Sequence, residues 1–548
     1  DNMSSPAEEP VPKIEVLLDY SEFPTAGATS GKKKQKGRFV MRSKVKKAKK
    51  SKAKAAVKSG SKSASKSKQK NKKKRGKKKK SNVEVTTMIE DVLEDVEDLD
   101  HAYNEIKKRV LAKFKEEGRL DQVSQCLRAA NLEQRIEDII STDCDTFYLV
   151  DITTVILKYK YFKEYMPRVQ PFYAVKCNPD SFLISTLVAC GAGLDVASMP
   201  EMQKGMDAKQ ISDNMIFANP CKMPEHIRYA AKCGVSKMTF DNMEELGKIH
   251  KFYPDAQLVL RILADDSHST MRFGSKFGAN INTEARPLLE KAYELGLSVI
   301  GVSFHVGSGC QSGEAYRNSL KLARTVFDLA EELGHPMTFL DIGGGFLGTD
   351  TETVVFKDIA LSISASLDEL FPSPDIRIIA EPGRYFASEC VVLVTTVIGR
   401  RERTHEDPET GEQVSLVDYY ISDGVYGSFN NMFFDYYRPT PITMKQNTSN
   451  PSLATNAPTN TPSNVPTTAP VETIAAAGVP APSPSTEAHR ATLFGPTCDS
   501  IDVVCKDIEI PDLEIGDHVY FFNMGAYTSA AASSFNGFNP PKPYYMVC

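Results

Sequence analysis

Several chemically versatile side chains come directly after apolar, strand-like runs of this sequence. Lys176, His305 and the pair Glu381 and Arg384 each lie within four residues of the end of such a run, and residues 343–345 place three glycines at another. A lysine amine can form a Schiff base with a carbonyl group, and the backbone N–H groups of a glycine-rich turn can bind a phosphate. Together they predict a phosphate-bearing cofactor held as a Schiff base.

Each of these signals has a simpler interpretation when it is taken alone. A lysine after a strand is usually a solvated charge, and a histidine beside an apolar strand usually has a structural role. A run of three glycines can be only a tight turn, because glycine tolerates positive φ angles. The combination at successive strand ends is what favours a functional site.

The elements expected to position these residues alternate between strands and helices. From residue 147 onward, at least seven short β-rich runs are each followed by a stretch with helical spacing of apolar side chains. This alternation predicts an α/β fold with a closed (β/α)8 barrel, whose functional residues gather on the loops after the C-terminal ends of the strands. A doubly wound open sheet is the alternative.

Segments outside this alternation divide the rest of the chain. After residue 390 the helical spacing stops, and short apolar runs predict a mostly-β domain of Greek-key or β-sandwich type. The predicted segments are a disordered Lys-rich tail (1–83), a helical lead-in that contributes to the β domain (84–145), the barrel (146–390), the β domain (391–446 and 486–548) and a low-complexity insertion (447–485).

Charge is distributed unevenly along the chain. The first 80 residues hold 27 basic and 6 acidic side chains, whereas the remainder holds 40 basic and 64 acidic ones. Residues 31–80 alone contain 26 Lys or Arg, neither Asp nor Glu, and too few large apolar side chains to offset the chain entropy of folding. This segment predicts binding to polyanions such as nucleic acids, or nuclear import. A solvated extension without a part in the chemistry is the alternative.

Cysteine usage and hydropathy indicate the compartment. The eleven cysteines include no CxxC pair, which argues against a disulfide framework and against a metal site of the zinc type. The longest apolar stretch, near residues 391–398, is too short to span a bilayer and predicts a buried strand. The protein is therefore expected in the cytoplasm without a membrane partner, and its basic tail would allow additional nuclear targeting.

Ordered motifs over residues 145–440 and 491–548 resemble those of the eukaryotic ornithine decarboxylase group. Neither the basic tail nor the insertion is covered. The motifs are PFYAVKCN at 171–178, GLDVAS at 193–198, FANPCK at 217–222, FHVGSG at 304–309, LDIGGGF at 340–346, EPGRY at 381–385, DGVYGSFN at 423–430, GPTCD at 495–499 and NMGAYT at 523–528. The resemblance implies an enzyme that uses pyridoxal 5'-phosphate to decarboxylate L-ornithine to putrescine and CO2, the first step of polyamine biosynthesis.

The same resemblance implies roles around the cofactor. Lys176 would form the Schiff base, Glu381 would pair with the pyridine nitrogen and His305 would stack on the ring. Because the lysine must be neutral to attack a carbonyl, a desolvated site is expected to lower its pKa. The other implied cofactor-binding residues are Asp195, Arg261, Ser308, Gly345, Pro382, Gly383, Arg384 and Tyr527.

A second set of implied residues handles the substrate. Cys498 would return a proton to the α carbon after CO2 leaves, so the implied catalytic residues are Lys176, His305 and Cys498. Asp435 and Asp499 would receive the distal ammonium group, since a buried cation needs charged partners. Phe434 and Phe535 would line the same pocket. Phe434 stands where animal members of the group usually have tyrosine, so one hydroxyl contact is missing.

Partners follow from the resemblance as well. Members of the group are homodimers in which the Cys-Asp loop enters the active site of the other subunit, and Lys276 and Asp502 match an intersubunit salt bridge. An antizyme-type regulator is a further expected partner. Two alternatives stay open: a lysine, arginine or diaminopimelate decarboxylase of the same fold, and a catalytically inactive protein of the antizyme-inhibitor type. The complete set of cofactor and substrate residues favours an enzyme.

Overall fold

The computed structural model describes residues 101–125, 132–140, 146–406, 413–445 and 488–548. The predicted tail (1–83) and the whole of the predicted insertion (447–485) lie outside these residues. In chain order the elements are α1 (described over 101–116), β1 (Val123–Gln125), α2 (Leu132–Ile140), β2 (Phe147–Asp151), α3 (Ile152–Tyr165), β3 (Val169–Ala174), α4 (Ser181–Cys190), β4 (Gly193–Val196), α5 (Met199–Asp207), β5 (Met215–Phe217), α6 (Pro224–Cys233), β6 (Lys237–Phe240), α7 (Met243–Phe252), β7 (Gln257–Arg261), β8 (Ser269–Met271), α8 (Ala285–Glu294), β9 (Ser298–Ser303), β10 (Ser308–Cys310), α9 (Gly313–Glu332), β11 (Phe339–Asp341), α10 (Phe356–Leu370), β12 (Arg377–Ala380), α11 (Arg384–Ala387), β13 (Val391–Glu406), β14 (Gln413–Ile421), α12 (Asn431–Phe434), β15 (Ile442–Met444), β16 (Ala488–Phe494), β17 (Val503–Pro511), β18 (His518–Phe521) and β19 (Lys542–Val547).

Eight parallel strands close into a barrel in the order β3-β4-β5-β6-β7-β9-β11-β12. The predicted barrel is therefore confirmed, and the open-sheet alternative is wrong because β12 pairs in parallel with β3. The barrel interior is apolar. Phe172 fits there because Gly193 on the neighbouring strand has no side chain, and a Cβ at that position would lie 2.6 Å from the Phe172 ring. The interior cluster consists of Phe172, Ile216, Ala218, Val259, Ile300, Phe339 and Ile379.

The loops at the C-terminal ends of several barrel strands are short and end in a helix N-cap. In each of these helices a side chain caps the first turn. Asp180, Ser198 and Asn242 each accept a hydrogen bond from a backbone N–H in the turn that follows them. Such a cap contributes about 1 kcal/mol to helix stability. Each cap lies a few residues after a barrel strand and thus limits the motion of the residues between them.

The remaining main strands form one branched nine-stranded sheet, which confirms the predicted β-rich region. Its main path runs β1-β19-β2-β13-β14-β16-β17, and β18 pairs with β13 and β15. The strand Phe147–Asp151 corrects the predicted boundary at residue 146, because it pairs with β13 and β19 rather than with the barrel. The chain therefore passes through the sheet before it enters the barrel.

The loop after β18 attaches the sheet to the barrel close to Lys176. The Tyr527 N–H donates to the Cys177 carbonyl oxygen (2.9 Å), and the Asn178 side-chain amide donates to the Gly525 carbonyl oxygen (2.9 Å). Cys177 and Asn178 are the two residues that follow Lys176 in the chain. A loop of the β region consequently helps to shape the barrel mouth.

Two further observations concern membrane-spanning helices and cysteine pairing. No helix in the described ranges is both long enough and apolar enough to cross a bilayer. Cys548 is disulfide-bonded, which the sequence did not predict.

Candidate active site

Lys176 lies at the C-terminal end of β3, in a single 3-10 turn formed by Val175–Cys177. Its Nζ forms an ion pair with Oδ2 of Asp195 on the adjacent strand β4. The pairing register brings the two together, since Ala174 lies opposite Asp195. Asp195 has no exposed surface, whereas 41% of the Lys176 side chain is exposed. The amine therefore stands at the open end of the barrel on a buried carboxylate.

The expected lowering of the Lys176 pKa is wrong. Loss of hydration does lower the pKa of this amine, but the negative charges of Asp195 and Glu381 outweigh that effect and hold the pKa above its usual value. Desolvation can be anticipated from a strand-end position, whereas charges contributed by two other strands cannot. In the chain without a cofactor, Lys176 is therefore protonated as an ammonium ion.

His305 follows β9 and is neutral. Burial lowers its pKa well below the usual value, and the positive charges of Arg261 and Lys176 add to this effect. Its Nδ1 accepts a hydrogen bond from the Gly307 N–H (3.0 Å), and its ring meets the edge of Phe273 with 5.0 Å between the ring centroids. A neutral imidazole fixed at one nitrogen offers a flat face that can stack on an aromatic ring.

Buried carboxyl groups gather at the ends of β11 and β12. Burial and the neighbouring Asp341 raise the pKa of Glu381 well above its usual value, and burial raises the pKa of Asp341 to about 7. Glu381 Oε1 is buried and has no hydrogen-bond partner among the residues that the structure describes. Because buried polar atoms are nearly always paired, this oxygen fits the protonated ring nitrogen of a bound pyridine.

An anion-binding group lies beside these carboxyl groups. The Arg384 guanidinium binds both carboxylate oxygens of Asp435, and its Nη2 also donates to Ser308 Oγ (3.0 Å). The Tyr527 ring centroid lies 5.1 Å from the guanidinium carbon. A guanidinium that already binds a carboxylate and lies beside a hydroxyl offers the kind of donors that a phosphate group requires.

The glycine turn after β11 keeps side chains out of this region. Gly345 has a φ of +109°, and a Cβ there would lie 2.7 Å from the Gly307 carbonyl oxygen. A Cβ on Gly344 would lie 2.8 Å from Nε2 of His305. Neither position can carry a side chain without displacing its neighbours. The residues present therefore fit a phosphorylated pyridine cofactor with an aldehyde that reaches Lys176.

Cys498 and Asp499 form a second group on an exposed loop between β16 and β17. Tyr426 donates its hydroxyl to Asp499 Oδ2 (2.5 Å), and the Tyr426 ring stacks on Phe535 with 4.3 Å between the centroids. Among the described residues, no hydrogen bond or ion pair joins this group to Lys176 or to its neighbours. One chain therefore carries the predicted site residues as two separate groups.

Four other predicted residues have clear surroundings. Phe434 is 64% exposed. Lys276 is exposed, while Asp502 is only 1% exposed and accepts hydrogen bonds from Val425 and Thr497. Within the chain Lys276 and Asp502 are not paired, and their intersubunit salt bridge stays a prediction. Asp435 forms an ion pair with Arg384, and its predicted contact with the substrate stays a prediction.

Sequence reasoning missed several residues of the site. Glu201 accepts a hydrogen bond from the Ala197 N–H (2.7 Å), and burial together with Asp195 raises its pKa. The Ser-x-x-Glu spacing from Ser198 to Glu201 is typical of a capped helix start and could have located this carboxyl group. Asp341 follows an apolar run and could have been found in the same way as Glu381. Asn536, next to Phe535, had no signal beyond that of a turn.

Comparisons with known proteins agree with this geometry. A family model described as the pyridoxal binding domain of pyridoxal-dependent decarboxylases matches residues 152–388. A probable ornithine decarboxylase of Dictyostelium discoideum is 44% identical over 409 residues, which cover 74% of this chain and 80% of the relative. Antizyme inhibitor 2 of Xenopus laevis is 42% identical and covers 76% of this chain and 84% of the relative. The crystal structure of an arginine decarboxylase from Paramecium bursaria Chlorella virus is 34% identical, with a TM-score of 0.64, and the match covers 76% of this chain and 100% of the viral one.

Removal of the Asp195 charge should make Lys176 more reactive. In Asp195→Asn the amide no longer stabilises the ammonium ion, so a larger fraction of the amine is neutral at pH 9. We expect faster acylation of Lys176 in protein freed of cofactor, on the order of tenfold for each 1.4 kcal/mol of lost interaction. The measurement is pulse labelling with acetic anhydride followed by mass spectrometry of the peptide that contains Lys176.

Glu105→Gln is a suitable control for that experiment, because it removes an exposed carboxylate whose ion pair within the described residues is with Lys108. Labelling of Lys176 should not change in this variant. Equal labelling rates in Asp195→Asn and the parent protein would show that the ion pair does not set the state of Lys176.

Proposed function

The chain belongs to the ornithine decarboxylase family of pyridoxal-dependent decarboxylases, and from this membership we propose that it converts L-ornithine to putrescine and CO2. The observation that carries the proposal is the convergence of Lys176, Glu381 and Arg384 at neighbouring strand ends of the barrel. The cofactor's aldehyde requires an amine, which Lys176 supplies. Its ring nitrogen requires a carboxyl oxygen such as the unpaired Oε1 of Glu381, and its phosphate requires a cation such as the Arg384 guanidinium. Relatives named ornithine decarboxylase support the choice of substrate.

Pyridoxal phosphate, when bound, supplies the electron sink that takes up the electron pair left on the α carbon as CO2 departs. Lys176 would hold its aldehyde, Glu381 its ring nitrogen and His305 the face of its ring. Asp195 and Arg261 would set the local charge around Lys176. The phosphate would be held by Ser308, Gly345, Gly383, Arg384 and Tyr527, and Pro382 would line the cofactor site beside them.

Substrate recognition would depend on Asp499 and Asp435. The Tyr426 hydroxyl donates to Asp499 and holds the pKa of that carboxyl below its usual value, so Asp499 stays ionised and can receive an ammonium group. Asp435, whose carboxylate pairs with Arg384 in the chain alone, would contribute the second negative charge, and Phe434 and Phe535 would border the alkyl chain. Cys498, adjacent to Asp499, would supply a proton to the α carbon.

Exposed aromatic and aliphatic side chains support a homodimer with shared active sites. They cluster in sequence around Asp435, Cys498 and the turn that contains Phe535, and exposed apolar groups of this kind mark protein interfaces. A second copy would cover them and would bring its Cys498 and Asp499 to the Lys176 group. The exposed residues are Phe433 (57%), Phe434 (64%), Tyr436 (56%), Ile501 (55%), Phe535 (40%) and Phe538 (44%).

Other substrates and functions are favoured less strongly. The similarity to a viral arginine decarboxylase keeps arginine, and with it lysine, as alternative substrates. Diaminopimelate fits less well, since decarboxylases for it typically carry glutamate where this chain has Asp499. Similarity to an antizyme inhibitor supports a binding protein without activity, and the same relative makes an antizyme-type regulator a reasonable partner of the active enzyme.

We further propose that residues 31–80 bind polyanions. We also propose that the enzyme works in the cytoplasm and that the same basic segment can add nuclear targeting. The support is the sequence of this segment, with 26 basic and no acidic side chains. Binding through charge alone falls steeply with salt concentration.

Substrate choice is tested by release of CO2 from ornithine, lysine and arginine, each with and without pyridoxal phosphate. Ornithine should react fastest and only with the cofactor. Lys176→Ala should lower turnover by about three orders of magnitude or more, because the amine that holds the cofactor is lost. Faster release from lysine or arginine would reassign the substrate, and no release from any of the three would favour the binding-protein alternative.

Complementation tests the shared sites. Lys176→Ala and Cys498→Ala subunits, each inactive alone, should regain about a quarter of the parent activity when co-expressed in equal amounts, because half of the dimers are mixed and each mixed dimer has one intact site. Activity no higher than that of the two separate variants would exclude a site built from two chains.

Deletion of residues 31–80 tests the polyanion proposal. The shortened protein should elute from heparin at much lower salt than the parent, since counterion release scales with the number of cationic contacts. Turnover of ornithine should stay at the parent level. Unchanged elution would show that the segment does not bind polyanions.

A further inference from the structure

Asn536 contacts the residue that would donate the proton. Its Oδ1 accepts a hydrogen bond from the Cys498 N–H (3.3 Å) and a second one from the Cys498 thiol (3.4 Å between Sγ and Oδ1). Building on the proposed function, we infer that Asn536 is a positioning residue for Cys498 and thereby decides where the proton goes after CO2 leaves.

The backbone explains why an asparagine occupies this position. Asn536 lies in the middle of the 3-10 turn Phe535–Gly537 and has a φ of 55°. Asparagine and glycine tolerate this left-handed conformation better than other residues. Asparagine also supplies an amide oxygen, which glycine does not. The position thus combines a backbone requirement with a hydrogen-bond acceptor aimed at Cys498.

The same turn also supports Asp499, the carboxylate that would receive the substrate's ammonium group. Phe535 stacks on Tyr426 with an interplanar angle of 27°, and Tyr426 donates to Asp499. Asn536 therefore fixes Cys498 while its neighbour Phe535, through Tyr426, fixes Asp499. Proton donor and ammonium receptor are held by adjacent residues of one turn.

The base of the Cys498 loop has its own anchor. Asp502 accepts hydrogen bonds from the Thr497 N–H (3.0 Å), the Thr497 hydroxyl (2.6 Å) and the Val425 N–H (2.8 Å). These bonds do not involve Asn536. Loss of the Asn536 amide should therefore loosen Cys498 without unfolding the loop.

The position of Cys498 matters because two carbons compete for one proton. With the cofactor bound, the electron pair of the broken C–CO2 bond would be shared between the substrate α carbon and the cofactor. A proton from the Cys498 thiol to the α carbon gives the amine product and leaves a thiolate, which water reprotonates. A proton delivered to the bound cofactor instead would, with addition of one water, yield an aldehyde in place of the amine and would leave the cofactor in its amine form. An amide oxygen can accept from a thiol but not from a thiolate, so Asn536 holds the protonated form of the donor in place.

Two substitutions separate positioning from structure. Asn536→Gly keeps the left-handed backbone and removes the acceptor, whereas Asn536→Asp keeps both. With ornithine and pyridoxal phosphate, the ratio of aldehyde to amine product should rise about tenfold in Asn536→Gly, the effect of losing one or two hydrogen bonds. Asn536→Asp should retain the parent ratio.

A second readout does not depend on turnover. Alkylation of Cys498 by iodoacetamide, followed by mass spectrometry in protein freed of cofactor, should be faster in Asn536→Gly and unchanged in Asn536→Asp. Asn282→Gly is a matched control at an exposed position outside the site, and it should change neither readout.

The outcomes distinguish this inference from the proposed function. A parent protein that releases CO2 from ornithine, together with an Asn536→Gly variant that keeps the parent product ratio and alkylation rate, overturns the role of Asn536 alone. An Asn536→Asp variant that behaves like Asn536→Gly also overturns it, because the acceptor would then not be the cause. A parent that releases no CO2 from ornithine overturns the proposed function instead, and alkylation still tests the contact.

Discussion

The ion pair between Lys176 and Asp195 is the interaction on which the rest of the site depends. A carboxylate with no exposed surface is costly unless a cation pairs with it, and Lys176 is the cation that the neighbouring strand supplies. The pair exists only while β3 and β4 keep their register, and that register is held by closure of the whole barrel. A local charge pair is thus a consequence of the global topology.

The pair also sets the state of its neighbours. The positive charge of Lys176 contributes to the low pKa of His305, while the negative charge of Asp195 contributes to the high pKa of Glu381. Within the described part of the chain, Asp195 Oδ1 and Glu381 Oε1 are both buried without a hydrogen-bond partner. Unpaired buried oxygens are unfavourable in the chain alone and become favourable when a ligand supplies a donor. The barrel mouth is therefore built for a cationic or hydrogen-bond-donating ligand beside a lysine.

Local patterns in the sequence predicted what depends on local order, and long-range contacts account for the rest. The strand-end positions of Lys176, His305 and Glu381 follow from apolar runs and their lengths, so they could be read directly. The membership of Phe147–Asp151 in the outer sheet could not, because its partners β13 and β19 come about 240 and 395 residues later in the chain. The pKa of Lys176 was missed for the same reason, since the charges that control it come from β4 and from the end of β12.

The two groups of site residues differ in how firmly they are fixed, and this difference bears on specificity. The Lys176 group is carried by barrel strands and their first following residues, most of them buried. The Cys498 and Asp499 group is carried by an exposed loop and by one turn after β18. A barrel with matched strand ends can serve the same cofactor for several amino acids, as the structural similarity to an arginine decarboxylase illustrates. Changes in substrate length or charge can then be accommodated on the loops, where a substitution disturbs neither the barrel register nor the buried charges. The separation of cofactor binding from substrate selection therefore follows from where the fold places rigid and exposed residues, because functional variation is tolerated best on loops that a rigid scaffold positions.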